Sequence, residues 1–164
     1  MFQRLKQVAE NAKNLSEKVL FRIIFNETEV QDLIIDLNRF DQLFKESELA
    51  DGQIIDKNYS RFTELATIEE NAVFTFQNSQ GETFSRQKTQ GDPYFLFDTG
   101  EFYKSFKVKI LDDGFVVQAD TLKDDGTDLM TYGKILGLTN ESRNEIIKKI
   151  LPMVIQETRK AITR

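Results

Sequence analysis

The sequence predicts an α+β fold: an antiparallel β-sheet of hairpins packed against long N-terminal helices and a C-terminal helix. Three observations carry this. Between Leu5 and Phe44 apolar residues recur every three or four positions, the helical period. From Phe106 to Ala119 two strand-like runs flank the turn phrase Asp112-Asp113-Gly114. From Thr139 the helical period returns and persists almost to the end.

Taken in order, Phe2 to Ile24 reads as a helix, with Leu5, Val8, Ala9, Ala12, Leu15, Val19 and Ile23 on one face. Asn26 to Thr28 breaks it, with Thr28 as the expected cap of a second helix reaching Phe44 through Val30, Leu33, Ile34, Leu37, Phe40 and Leu43. One bent helix or two separate ones both fit this pattern. Glu46 to Arg61 is polar and turn-rich, and Asp51-Gly52 is its firmest turn. Val73 to Gln77 and Glu82 to Ser85, joined by Asn78-Ser79-Gln80-Gly81, form one predicted hairpin, and Arg86 to Pro93 an exposed loop. In the second hairpin, strict alternation turns Phe106, Val108 and Ile110 to the core and Lys107 and Lys109 outward. Asp120, Asp124, Asp125 and Asp128 lack the spacing and closing Glu of a calcium loop, so they read as a solvated loop. The last helix carries Ile146, Ile147, Ile150, Val154, Ile155 and Ile162, and Pro152 is expected to kink or divide it.

The chain has 164 residues, enough for a single domain with a proper core. It divides into an N-terminal helical segment (1–45), a β-rich body (46–130) and a C-terminal helix (131–164). Fourteen Phe stand beside no Cys, His or Trp. Without Cys there is no disulfide framework or thiolate metal site, which fits a reducing cytoplasm. Without His the commonest general base and metal ligand is missing, so the chain is expected to be no enzyme and to hold no cofactor. No apolar run reaches membrane-span length and the start is unlike a signal peptide, so a soluble, intracellular protein is expected.

The net charge of −5 hides a division. Both ends are basic, through Arg4, Lys6, Lys13, Lys18 and Arg22 at one and Lys134, Arg143, Lys148, Lys149, Arg159, Lys160 and Arg164 at the other. The body between is acidic. Solvated helix faces explain such charges on their own, yet basic ends around an acidic body also suit head-to-tail contact between copies. Lys13, Lys18, Lys148 and Lys149 are then the candidate subunit-interface residues. An acidic body argues against tight binding to nucleic-acid phosphates.

The chain is organised around the corner from Leu96 to Phe106, between the irregular polar region and the second hairpin. Asp98 and Glu101 have capping-box spacing, and Gly100 permits a tight entry into a turn. Phe102 and Phe106, four apart, would share one face of a short helix and press into the core. Asp98-Thr99-Gly100 after an apolar pair also resembles the catalytic phrase of a retroviral-type aspartic protease homodimer, with Ile135-Leu136-Gly137 similar to that family's second motif. Against that stand Glu101 and bulky Phe102, where that family has small residues. The short span to Ile135 and the amount of chain before the motif also oppose it.

Leu96, Asp98, Thr99, Gly100, Phe102, Ser105 and Phe106, running straight into a hairpin, are similar position by position to a phrase of the tailed-bacteriophage tail-completion or head–tail joining proteins. Leu136-Gly137-Leu138-Thr139-Asn140-Glu141 resembles the phrase opening that family's C-terminal helix. Asp51-Gly52 and Tyr59-Ser60-Arg61-Phe62-Thr63 resemble its upstream stretch, whereas Ala66 to Gly91 is longer and more strand-like than the family pattern. The resemblance implies a structural component of a virion, a ring-forming neck connector or tail-completion protein. Its partners would be itself, in a cyclic homo-oligomer, and other phage neck or tail proteins. DNA would pass through the ring, with no membrane involved. Assembly would occur in the bacterial host cytoplasm. A protein-binding adaptor working through an exposed edge strand is the remaining alternative.

Overall fold

The computed structural model describes residues 15–163, together with Gln3 and Lys6. Most of the predicted first helix before Leu15, including Leu5, Val8, Ala9, Ala12 and the candidate interface residue Lys13, lies outside the described residues, as does Arg164. The side chain of Ile162 is likewise outside them.

Helix α1 (Glu17–Phe25) starts at Ser16, whose hydroxyl accepts the Val19 N–H at 3.3 Å. It ends at Asn26, and α2 (Thr28–Asp36) begins two residues later, so the two are separate helices. Thr28 is not the cap: it is the first helical residue, after a Glu27 that makes no side-chain cap. From Leu37 to Glu46 the helix continues as a ten-residue π-helix, so the predicted extent to Phe44 is met but in a wider register. Val30, Ile34, Leu37, Phe40, Leu43 and Phe44 along it are buried.

Asn38 and Gln42 are also buried there. The Asn38 amide donates to Ile135 O at 3.0 Å and accepts from Gly137 N at 3.1 Å. Gln42 donates to Gly137 O and accepts from Thr139 N, both at 3.1 Å. Two neutral amides thus satisfy the backbone of a loop that has no strand partner. At its other end, Arg86 donates to Phe44 O (2.9 Å) and Lys45 O (3.0 Å), capping carbonyls that have no helical donor.

A third helix, α3 (Arg61–Glu69), was not anticipated by the polar, turn-rich reading up to Arg61 or the strand-like reading from Ala66. Its local signal is Ser60, which caps it by accepting the Thr63 N–H at 3.2 Å. The first hairpin pairs β1 (Phe74–Gln77) with β2 (Thr83–Arg86), Phe76 opposite Phe84. Phe76 inserts toward Phe44 (5.6 Å) and Tyr103 (5.3 Å). After the one-turn α4 (Glu101–Lys104), β3 (Lys107–Ile110) pairs with β4 (Phe115–Gln118), Lys107 opposite Gln118. Lys107 and Lys109 are exposed and Phe106 is buried, as the alternation requires. The α+β class with a C-terminal helix holds, but the hairpins form two separate two-stranded sheets rather than one. The first faces the π-helix, while Phe115 of the second stacks on Phe25 of α1 at 5.5 Å.

A short 3₁₀ turn (Leu129–Tyr132) precedes α5 (Asn140–Thr163). Thr139 Oγ1 accepts the Ser142 N–H at 3.2 Å and starts α5. Pro152 does not divide this helix, which runs unbroken through it. Pro152 lies on the exposed face, where water can serve the carbonyl one turn back that loses its donor. Ile146 anchors α5 in the core, and α5 packs on α1 and α2. No helix among the described residues is long and apolar enough to cross a membrane.

Candidate functional site

The corner lines an open cavity of about 540 Å³. Leu96, Asp98, Thr99, Gly100, Phe102 and Ser105 all border it, so the structure brings together every motif residue except buried Phe106. Leu96 enters with a left-handed backbone, φ 54°, a conformation that costs a non-glycine residue about 1–2 kcal/mol. Gly100 follows at φ 82°, where an added Cβ would meet the Phe97 ring at 3.1 Å.

The expected capping box does not form. Gly100 occupies the N-cap of α4, which has no side-chain cap, and Glu101 N donates only a long bond of 3.4 Å to Thr99 Oγ1. The left-handed turn at Gly100 carries Asp98 away from the helix start and toward Lys123 (3.1 Å) and Lys88 (3.8 Å). Lys88 is mostly buried, its ammonium 4.4 Å from the centre of the Phe74 ring. Burial lowers its pKa, and the Asp98 charge acts against that shift. Lys123 moves the other way, raised by its hydrogen bond to Asp98.

Phe102 and Phe106 meet edge to face at 5.0 Å, as their spacing predicts, but only Phe106 is buried, with Phe102 half-buried. The residue the spacing missed is Tyr103 between them. It is fully enclosed, and its hydroxyl donates to Phe95 O. Burial raises its pKa far above the ordinary phenol value. Its signal was its spacing: Tyr103 stands three residues before Phe106, which puts both rings on one side of a helical turn, 6.2 Å apart and both buried. Ser105 bridges the corner to the next loop, its hydroxyl donating to Phe102 O (2.7 Å) and accepting from Asp120 N (2.8 Å). Lys88, Lys123 and Tyr94 carried no sequence signal, since they join the corner only through tertiary contact, Tyr94 by stacking on Tyr59 of the upstream phrase at 4.4 Å.

The acidic loop uses its carboxylates locally. Asp125 accepts from Thr127 N (2.9 Å), which holds it below the usual carboxylate range, and Asp128 accepts from Met130 N (3.0 Å). Among the described residues no three His, Cys, Asp or Glu side chains converge as a metal site would need. Ile135-Leu136-Gly137 lies in the amide clamp of Asn38 and Gln42. Asp98 is more than half exposed and sits between two ammonium groups.

Of the candidate interface lysines, Lys18 and Lys148 are exposed, Lys148 pairing with Glu145 at 2.6 Å. Lys149 is exposed but tied to Glu29 of α2 in the same chain, and Arg22 is likewise tied to Asp112. Two helices also keep apolar rows in solvent. On α3, Phe62 is 82% exposed and Leu65 and Ile68 about half. On α5, Ile147, Leu151 and Ile155, four apart, are each about half exposed.

The fold and these surfaces define an α+β chain with two detached hairpins and outward-facing apolar helices. Comparison with protein-family models, with curated proteins and with solved structures finds no match to it.

Proposed function

We propose that this chain is a structural component of a tailed-phage virion, a ring-forming neck connector or tail-completion protein that joins head and tail. The observation that carries the reading is the pair of exposed apolar rows on α3 and α5. Apolar rows of this size on helices mark surfaces that another protein covers. A cyclic ring needs two different surfaces per subunit, and this chain has two of opposite flanking charge. The order of the Tyr59–Thr63, Leu96–Phe106 and Leu136–Glu141 phrases supports the same family. In this reading the corner does no chemistry. It braces the second hairpin, and Asp98 is a charge anchor for the loops carrying Lys88 and Lys123.

The protein partners itself and neighbouring neck or tail proteins, in the virion, after assembly in the host cytoplasm. Electron microscopy of the purified protein, and of particles from cells that make it, tests this. Closed rings, and the protein at the head–tail junction, are expected. A monomer at high concentration that is also missing from particles would overturn the reading.

A further inference from the structure

We infer that the α3 row of one copy docks on the α5 row of the next, a specific contact that rests on the ring reading above. The two rows match in length and kind. Phe62, Leu65 and Ile68 span a little under two turns and offer one large ring, while Ile147, Leu151 and Ile155 span a little over two turns of aliphatic surface. Aromatic side chains such as Phe62 are enriched at the centres of protein interfaces, whose cores are more apolar than the rest of the surface.

Charge decides which row meets which. Arg61, four residues before Leu65, is neutralised by the largely buried Glu64, and exposed Glu69 follows Leu65 by four, so the carboxylate that borders the α3 row is Glu69. Glu69 has no ion pair among the described residues. On α5, Lys148 lies three residues before Leu151 and Arg159 four after Ile155, so cations border that row. Two α3 rows together would oppose carboxylates, and two α5 rows would oppose cations. Only α3 against α5 brings unlike charges beside both apolar rows. The contact is therefore head to tail and continues from copy to copy. Lys149 is held by Glu29 and Lys148 by Glu145, so the basic end of the chain acts mainly through Arg159, which has no ion pair among the described residues.

Leu65→Asp removes one face and Leu151→Asp the other. Each variant alone should sediment as a monomer at concentrations where the wild-type protein self-associates. An equimolar mixture should form a dimer and nothing larger, because the intact α5 of the first meets the intact α3 of the second. Either variant assembling normally alone, or a mixture that stays monomeric, overturns the contact. Circular dichroism of each variant checks its fold. Should one misfold, single Leu65→Cys and Leu151→Cys proteins, in a chain without other Cys, are joined with a short bismaleimide. Cross-linking in the mixture alone supports the contact, and cross-linked dimers of one variant by itself overturn it. Head-to-tail dimers without closed rings would remove the ring reading and leave this contact. Rings persisting in Leu151→Asp would do the reverse.

Discussion

The two glycine-centred phrases, Asp98-Thr99-Gly100 and Ile135-Leu136-Gly137, look alike as sequence and are held by opposite physics. The second is locked from inside by the neutral amides of Asn38 and Gln42, with each donor and acceptor matched. The first is held from outside by ion pairs to Lys88 and Lys123 and from beneath by aromatic packing around Tyr103. A buried amide that is removed leaves polar backbone stranded, whereas the partners of an exposed ion pair that is broken are rehydrated. The clamp should therefore be brittle and the Asp98 pairs forgiving. The aromatic underside is what makes the corner matter to stability.

The largest effect tests that underside. Phe106→Ala should destabilise by about 3–5 kcal/mol, as for a buried Phe. Phe102→Ala, half in solvent, should cost about 1–3 kcal/mol. Equal losses for the two in urea unfolding would mean that the corner's burial is misassigned.

Next comes the clamp. Asn38→Leu keeps the size of the side chain but strands the Ile135 carbonyl and the Gly137 N–H, for a loss of about 2–4 kcal/mol. Hydrogen exchange at Gly137 should speed up together with that loss. A stable variant with a still-protected Gly137 amide would break the contrast between the two phrases.

The smallest effect is at Asp98. Asp98→Asn removes exposed pairs and should change stability by no more than about 1 kcal/mol at neutral pH. Its sharper signature is in pH dependence. Burial lowers the Lys88 pKa, so the folded chain releases that proton below the unfolded value of about 10.4. Between the two values the unfolded chain holds more protons, so stability rises with pH across that window and the rise is complete above the unfolded pKa. Removing the Asp98 charge should lower the Lys88 pKa further and widen the window. A window unchanged in Asp98→Asn would show that the two groups are not coupled. Peptide cleavage that Asp98→Asn abolishes would replace this structural role with a proteolytic one.

What the sequence determined by itself is local. The second hairpin's register follows from period-two alternation, the turn at Asp51-Gly52 from Gly52 at φ 82°, and the start of α5 from the hydroxyl of Thr139. Each depends on atoms within a few residues, so its signal is written in the same few residues. Tertiary structure alone decided the rest. The left-handed turn at Gly100 carries Asp98 off the helix start to lysines from two distant loops, and Asn38 on the π-helix meets a loop ninety-seven residues away. Phe62, Leu65 and Ile68 repeat at helical spacing just as Val30, Ile34 and Leu37 do, yet only the latter are buried. Periodicity says that a helix has an apolar face, and only the arrangement of the whole chain says whether anything lies against it.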